Sequence, residues 1–160
     1  MLVMPNRSVS KPAHRHRRRP GWFRPVPLRA RTDGWNEARQ CEFLSALYVT
    51  GSVAAAAKAV HMSKRGAFRL RDRAGAESFA HAWNRVLTPP GVGHFVATKP
   101  DFRKVTIETL HSWLETGFVQ PVIYRGRMCG IRRKPDKSTL VRLLRRLGED
   151  IDPKAEWGRG

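Results

Sequence analysis

The segment spanning residues 52–73 constrains the fold more than any other part of the chain, because signals that start and stop a helix occur in it twice. Ser52 is a good N-cap, since its hydroxyl can accept a hydrogen bond from a backbone N–H of the first turn. Residues 53–60 are rich in alanine, the best helix former. Ser63 offers a second N-cap, and residues 64–73 can run as another helix. The segment therefore predicts two short helices joined by a tight turn.

The spacing of apolar residues in this segment fits a helix-turn-helix, whose second helix enters a DNA groove. All the positions expected to be buried are apolar: Ala56, Val60, Met62, Ala67 and Leu70. Ala57 supplies the small residue needed where the two helices touch. His61 occupies the turn position that usually holds glycine, and histidine tolerates the left-handed conformation better than most residues. The alternative is an ordinary helical hairpin with a solvated basic face.

Candidate DNA contacts lie on the outward side of the second helix and in a basic run near the N-terminus. Arginine can bind guanine O6 and N7 with two hydrogen bonds, and the N–H groups at the start of a helix favour a phosphate. Phe68 could touch a thymine methyl or pack inward, and Arg71 and Arg73 could contact phosphate or solvent. The predicted DNA-binding residues are Ser63, Lys64, Arg65, Phe68, Arg69, Arg71 and Arg73, with Arg17, Arg18 and Arg19 of the N-terminal run.

The charge of the chain points to a polyanionic partner. Its formal net charge is +18, and its pI is about 11.5. Residues 1–32 hold nine Lys and Arg residues and no Asp or Glu, and residues 121–147 hold nine basic residues and one acidic residue. Residues 33–87, in contrast, hold eight basic and five acidic residues. The two ends therefore supply much of the positive field.

The predicted fold class is mainly α, a helix-turn-helix bundle followed by a helix–β-hairpin–helix extension, with a disordered basic N-terminal arm. Helices are expected over about 36–50, with Asn36 as N-cap and Gly51 as its end, over 76–86, with Phe79 and Trp83 in the core, and over 101–116 and 138–147, each with one apolar stripe. The two helices of the motif come in addition, and a hairpin is expected over 121–132 with a turn at Arg125-Gly126. Gly130 marks a bulge or an adjusted edge. The predicted units are an arm (1–32), a DNA-binding domain (33–87), a linker (88–100), the extension (101–148) and a tail (149–160).

Catalysis, metal binding and membrane insertion lack sequence support. The acids are scattered, and none of the common phosphate-loop, nucleophile-elbow or zinc-protease motifs is present. We expect no catalytic residue, no cofactor and no metal site. Cys41 and Cys129 lack metal-ligand spacing and are interpreted as buried thiols of a reducing compartment. No apolar run approaches the roughly 20 residues that span a bilayer, so a cytoplasmic protein is expected.

Over about residues 35–147 the chain resembles bacterial helix-turn-helix proteins similar to the small terminase subunits of tailed phages. The resemblance rests on Trp35, Phe43-Leu44, Gly51-Ser52-Val53, Ala56-Ala57, Met62-Ser63, Ala67–Arg71, Phe79 and Ala82-Trp83, followed by Gly117, Pro121–Gly126 and Leu140–Arg145. It implies double-stranded DNA recognition, homo-oligomerisation through the later helices and contact with a large terminase subunit. A helix-turn-helix transcriptional regulator and an RNA- or ribosome-associated basic protein remain alternatives, and a nuclease or recombinase fragment is a weaker one.

Overall fold

The chain folds mainly into helices, with one small antiparallel sheet. A computed structural model describes residues 16–29, 32–91 and 100–148. In those ranges the elements are α1 Glu37–Thr50, α2 Val53–Ala59, α3 Lys64–Arg71, α4 Glu77–Leu87, α5 Ile107–Thr116, β1 Phe118–Tyr124, β2 Arg127–Lys134 and α6 Lys137–Arg146. None of the helices in these ranges combines the length and the apolar character that crossing a bilayer requires. The predicted tail 149–160 and most of the predicted linker lie outside the described residues.

The first three helices begin at the cap residues that the sequence predicts. The Asn36 side chain accepts a hydrogen bond from the Arg39 N–H at 2.8 Å. Ser52 and Ser63 do the same for the residues three positions later, at 3.3 and 2.9 Å. Gly51 closes α1 in a left-handed conformation, with φ of 68°. These predictions are confirmed because each depends on residues within one turn of the helix end.

Four helices close around an aromatic core centred on Trp83. Its indole is fully buried, and the ring centroid lies 4.8 Å from that of Phe43 and 6.0 Å from that of Phe79. Phe43 comes from α1, and the other two come from α4. The prediction that Phe79 and Trp83 are core residues is confirmed, and α4 closes the bundle as its apolar spacing indicates.

The segment 16–29 is part of the folded body, so the predicted disordered arm is wrong for these residues. Phe23 is fully buried and exchanges two backbone hydrogen bonds with Val119, both of 3.0 Å. The Val26 N–H donates to Gln40 Oε1 at 2.7 Å. The many prolines suit an extended segment of this kind, because proline fixes φ near the extended region without requiring a helix. Residues 1–15, 30 and 31 lie outside the described residues.

The hairpin follows the predicted chemistry and is longer than predicted. Arg125 and Gly126 have φ values of 50° and 76°, and positive φ at both positions is what a type I′ turn requires. The pairing shifts by one residue between Val122 and Ile123, which leaves Cys129 as an extra residue in β2 beside Gly130. The predicted turn and the predicted irregularity at Gly130 are both confirmed.

One face of the hairpin packs on α1. Val119 and Ile123 of β1 belong to the same buried cluster as Phe43 and Trp83. Arg133 near the end of β2 forms an ion pair with Glu37 in the first turn of α1. The helices α1 to α4 and the hairpin therefore share one core.

The last two helices differ from the prediction at their ends and in their burial. α5 begins at Ile107, not at 101, because Thr106 caps it by accepting from the Thr109 N–H at 3.2 Å. Asp101 instead accepts from the Arg103 N–H in a preceding turn. Leu110 of α5 and Leu143 of α6 are buried, whereas Ile107, Leu140 and Leu147 stay exposed. The predicted apolar stripes are therefore only partly covered.

Candidate nucleic-acid interface

The segment 52–73 forms the two short helices that the sequence predicts, α2 and α3, joined by a tight turn. The four predicted core positions Ala56, Val60, Ala67 and Leu70 are at most 4% exposed, Met62 is half-buried, and Ala57 lies at the contact with 1% exposure. His61 adopts the left-handed conformation, with φ of 60°. The α2–α3 turn therefore forms with histidine where glycine is usual, because histidine accepts this conformation at modest cost.

The opposite side of α3 carries an excess of positive charge, with the carboxylate of Asp72 exposed at its C-terminal end. Ser63, Lys64, Arg65 and Arg69 are exposed, as is Arg73 just beyond the helix. Within the described part of the chain, none of the four cationic side chains makes a hydrogen bond or an ion pair. Their charged groups are therefore free to meet a ligand.

Two of the predicted contact residues fasten α3 to the body. The Arg71 guanidinium donates to Asn84 Oδ1 at 2.8 Å and lies 5.2 Å from the Trp83 ring centre. The Phe68 ring is 5.3 Å from the same indole, although 36% of this residue is exposed. A cation over an aromatic face and a ring pair both stabilise packing. These contacts hold α3 in place and leave the other basic side chains pointing outward.

The N-terminal arginines are not gathered beside α3. Arg17 donates to the carbonyl oxygens of Tyr48 and Val49, at 2.9 and 3.2 Å. It thus serves the C-terminal end of α1, where unpaired carbonyls and the helix dipole favour a cation. Arg19 donates to the Ile123 carbonyl of β1 at 3.4 Å, and Arg18 between them is half-buried.

A groove of about 500 Å³ runs between α3 and the segment before α1. Its apolar lining comes from Leu28, Trp35, Met62 and Leu70, and its basic lining comes from Arg29, Arg69 and Arg73. No carboxylate lines it among the described residues. Arg29 was not among the residues that the sequence pattern predicts to bind DNA. Its position depends on the Val26–Gln40 contact, and no signal within the segment reveals that contact.

The shape and charge of this surface suit an extended polyanion. Arg65 and Arg69 lie four residues apart, which places them along one ridge of α3, and Arg73 follows just beyond the end of the helix. At 1.5 Å per residue the eight-residue helix is about 12 Å long, comparable with the width of the DNA major groove. The described residues contain no group of three or more His, Cys, Asp or Glu side chains that could hold a metal ion.

Cys41 and Asp136, whose pKa values are shifted, lie away from this surface and have structural roles. Burial, followed by the nearby Glu37 carboxylate, raises the pKa of Cys41 to about 12. This thiol is fully buried, as predicted, and stays protonated at neutral pH. Cys129 is exposed, so the prediction of a buried thiol is wrong for it. The reason is the β-bulge, which turns this residue out of the strand alternation.

Asp136 joins the N-terminal segment to the last helix. Its Oδ2 accepts from Arg24 Nη2 at 2.5 Å, and its two carboxylate oxygens accept from the Thr139 N–H and hydroxyl. Burial would by itself raise the pKa of this carboxyl, but the Thr139 hydrogen bonds and the Arg24 charge outweigh burial and lower it. The Arg24 guanidinium also lies 4.0 Å from the Trp113 ring centre of α5.

Comparisons of the chain with protein-family models, with curated proteins and with solved structures found no match. The assignment of this interface therefore rests on the residues and their geometry.

Proposed function

We propose that the protein binds double-stranded DNA without catalysing a reaction, and that α3 is its recognition helix. One observation carries this proposal: the exposed side of α3 presents Lys64, Arg65 and Arg69 with no partner among the described residues. The opposite side of the same helix is buried through Ala67 and Leu70. A helix anchored in this way can enter a groove without losing its packing.

The spacing of the arginines indicates that the positive charge of α3 serves binding and not the stability of the helix. Like charges four residues apart destabilise an isolated helix by a few tenths of a kcal/mol per pair. Arg65 and Arg69 form such a pair on a helix of only eight residues. A DNA duplex would remove this repulsion, because its phosphates and guanine bases supply the missing acceptors.

The groove beside α3 supports a contact with the DNA backbone. Arg29 and Arg73 line it on opposite elements, one from the N-terminal segment and one beyond α3. A helix in the major groove brings the flanking sugar–phosphate backbone against neighbouring surfaces of the protein. We assign phosphate contacts to Arg29 and Arg73 and base contacts to Arg65 and Arg69.

The finer proposal is a packaging-type recognition subunit that resembles small terminase subunits, forms homo-oligomers and engages a large terminase subunit. The exposed Leu140 and Leu147 of α6 offer apolar surface for assembly. Light scattering of the free protein and of its DNA complex tests this role. A ring or higher oligomer would support it, whereas a dimer on a palindromic site would favour a transcriptional regulator.

Selection of bound sequences from a random duplex pool tests the proposed base reading. Arg65→Ala and Arg69→Ala should each weaken the selected site by about 1–3 kcal/mol and relax the preference at one base position. Arg103→Ala removes an exposed arginine from the turn before α5 and serves as the charge-matched control. An equal loss on every duplex from all three variants would contradict base reading by α3.

A further inference from the structure

The hairpin has a second face, which points away from α1 and is both basic and aromatic. Strand alternation and the observed register place on this outer sheet face the residues Phe118, Gln120, Val122, Tyr124, Arg127, Gly130, Arg132 and Lys134. The bulge at Cys129 matters here, because without the extra residue Ile131 and Arg132 would exchange faces. The bulge therefore directs Arg132 outward and Ile131 toward the core.

Tyr124 stands at the tip of this face with no role in the core. It is 64% exposed, the largest exposed fraction among the large hydrophobic residues of the described ranges. The Arg125 guanidinium lies 5.3 Å from its ring centre. The type I′ turn fixes both residues at the end of a paired ladder, so the ring is offered to solvent on a rigid support.

Aromatic rings and cations also alternate at the other end of the face. The Lys134 ammonium lies 4.7 Å from the Trp22 ring centre and 5.4 Å from the Phe118 ring centre. Trp22 belongs to the N-terminal segment that covers the free edge of β1, and both rings are half-exposed. The outer sheet face thus carries rings at both ends.

A shallow depression lies between these ends. It has a volume of about 110 Å³ and is lined by Gln120, Pro121 and Val122 of β1, with Arg19 and Arg132 on either side. Residues 117–135 contain no Asp or Glu. The depression is therefore open to an anionic group, with two guanidinium groups beside it.

We infer that the outer sheet face binds a single nucleic-acid strand, with a base stacked on Tyr124 and phosphate oxygens held by Arg19 and Arg132. Single-strand sites combine a basic track with exposed rings, because an unpaired base can stack on a protein ring, whereas a base in a duplex is already stacked between its neighbours. A duplex would use the cations but leave Tyr124 without a partner. This site goes beyond the proposed duplex contact and is separate from it, since α3 contacts α2 and α4 but neither strand.

Fluorescence anisotropy of the full chain with a labelled oligo(dT) of about 15 nucleotides tests the inference. Tyr124→Ala should raise the Kd at least about fivefold, and Tyr124→Phe should stay within about twofold, because the stacking ring is retained. Arg132→Ala should weaken binding and lower its salt dependence, since one phosphate is then no longer neutralised. Arg103→Ala, which removes one positive charge outside the sheet, should change the oligo(dT) Kd less than Arg132→Ala does.

The controls separate this site from the duplex site. Arg65→Ala/Arg69→Ala should leave the oligo(dT) Kd unchanged, and Tyr124→Ala should leave the duplex base preference unchanged. An oligo(U) of the same length shows whether the site prefers a DNA or an RNA strand. Equal and unequal affinities both fit the inference, provided that Tyr124→Ala weakens binding of these strands. Unchanged oligo(dT) binding by Tyr124→Ala, or loss of that binding only in the α3 variant, would overturn it.

Discussion

Replacing Phe23 by alanine should destabilise the whole fold, although this residue lies in a segment whose composition predicts disorder. Phe23 is fully buried, and its ring centroid is 6.0 Å from that of Phe79 in an edge-to-face arrangement. Truncation would leave a cavity between the N-terminal segment, α4 and β1. The backbone bonds to Val119 do not depend on the side chain, so the cost should come from poorer packing.

The expected cost is about 3–5 kcal/mol, the range for truncating a buried phenylalanine to alanine. Domains have a total stability of about 5–15 kcal/mol, so the loss is a large share of it. At about 2–4 °C per kcal/mol for a chain of this size, the Tm should fall by about 6–20 °C.

Thermal and urea unfolding monitored by circular dichroism measures this loss. Tyr124→Ala is the matched control, because it truncates an aromatic side chain that is largely exposed, and it should change the stability by no more than about 0.5 kcal/mol. A Phe23→Ala protein with the Tm of the wild type would refute the conclusion that the N-terminal segment belongs to the core.

Three further outcomes follow from the structure. The folded-state pKa of Asp136 is lowered, so its stabilising contribution is present above the ordinary carboxyl pKa of about 3.9 and is lost as the pH falls through the folded value. The urea midpoint should therefore fall more steeply from neutral to acid pH for the wild type than for Asp136→Asn. Parallel curves would contradict a stabilising role for the Asp136 contacts with Arg24 and Thr139. Iodoacetamide should label the exposed Cys129 in the native protein and Cys41 only after unfolding, as mass spectrometry of peptides can establish. Deleting residues 1–15, which hold three Lys and Arg residues, should weaken binding to all duplexes alike. It should also reduce the slope of log K against log salt concentration by about 0.9 for each phosphate that these residues neutralise. A change in base preference would argue against a purely electrostatic role.

Features that depend on neighbouring residues could be predicted from the sequence. The caps at Asn36, Ser52 and Ser63, the hairpin turn at Arg125-Gly126 and the outward face of α3 all follow from signals within a few positions. Their physical basis is local hydrogen bonding and helix or strand periodicity.

Features that depend on distant pairs could not be predicted. Arg17 and Phe23 belong to a segment rich in arginine and proline, and their roles emerge only when α1 and β1 are in place beside them. The same holds for Arg24, whose partner Asp136 is more than 100 positions away. A single sequence gives the composition of such a segment, but it does not show the surface against which the segment packs.

We propose above all that α3 enters the major groove of a DNA duplex. The most direct test is an NMR titration of the ¹⁵N-labelled full chain with a duplex selected from the random pool. We predict that the largest amide shifts fall on Lys64, Arg65 and Arg69, with smaller ones at Arg29 and Arg73 beside the groove. Shifts confined to the hairpin and α6, with the α3 amides unmoved at saturation, would contradict this claim.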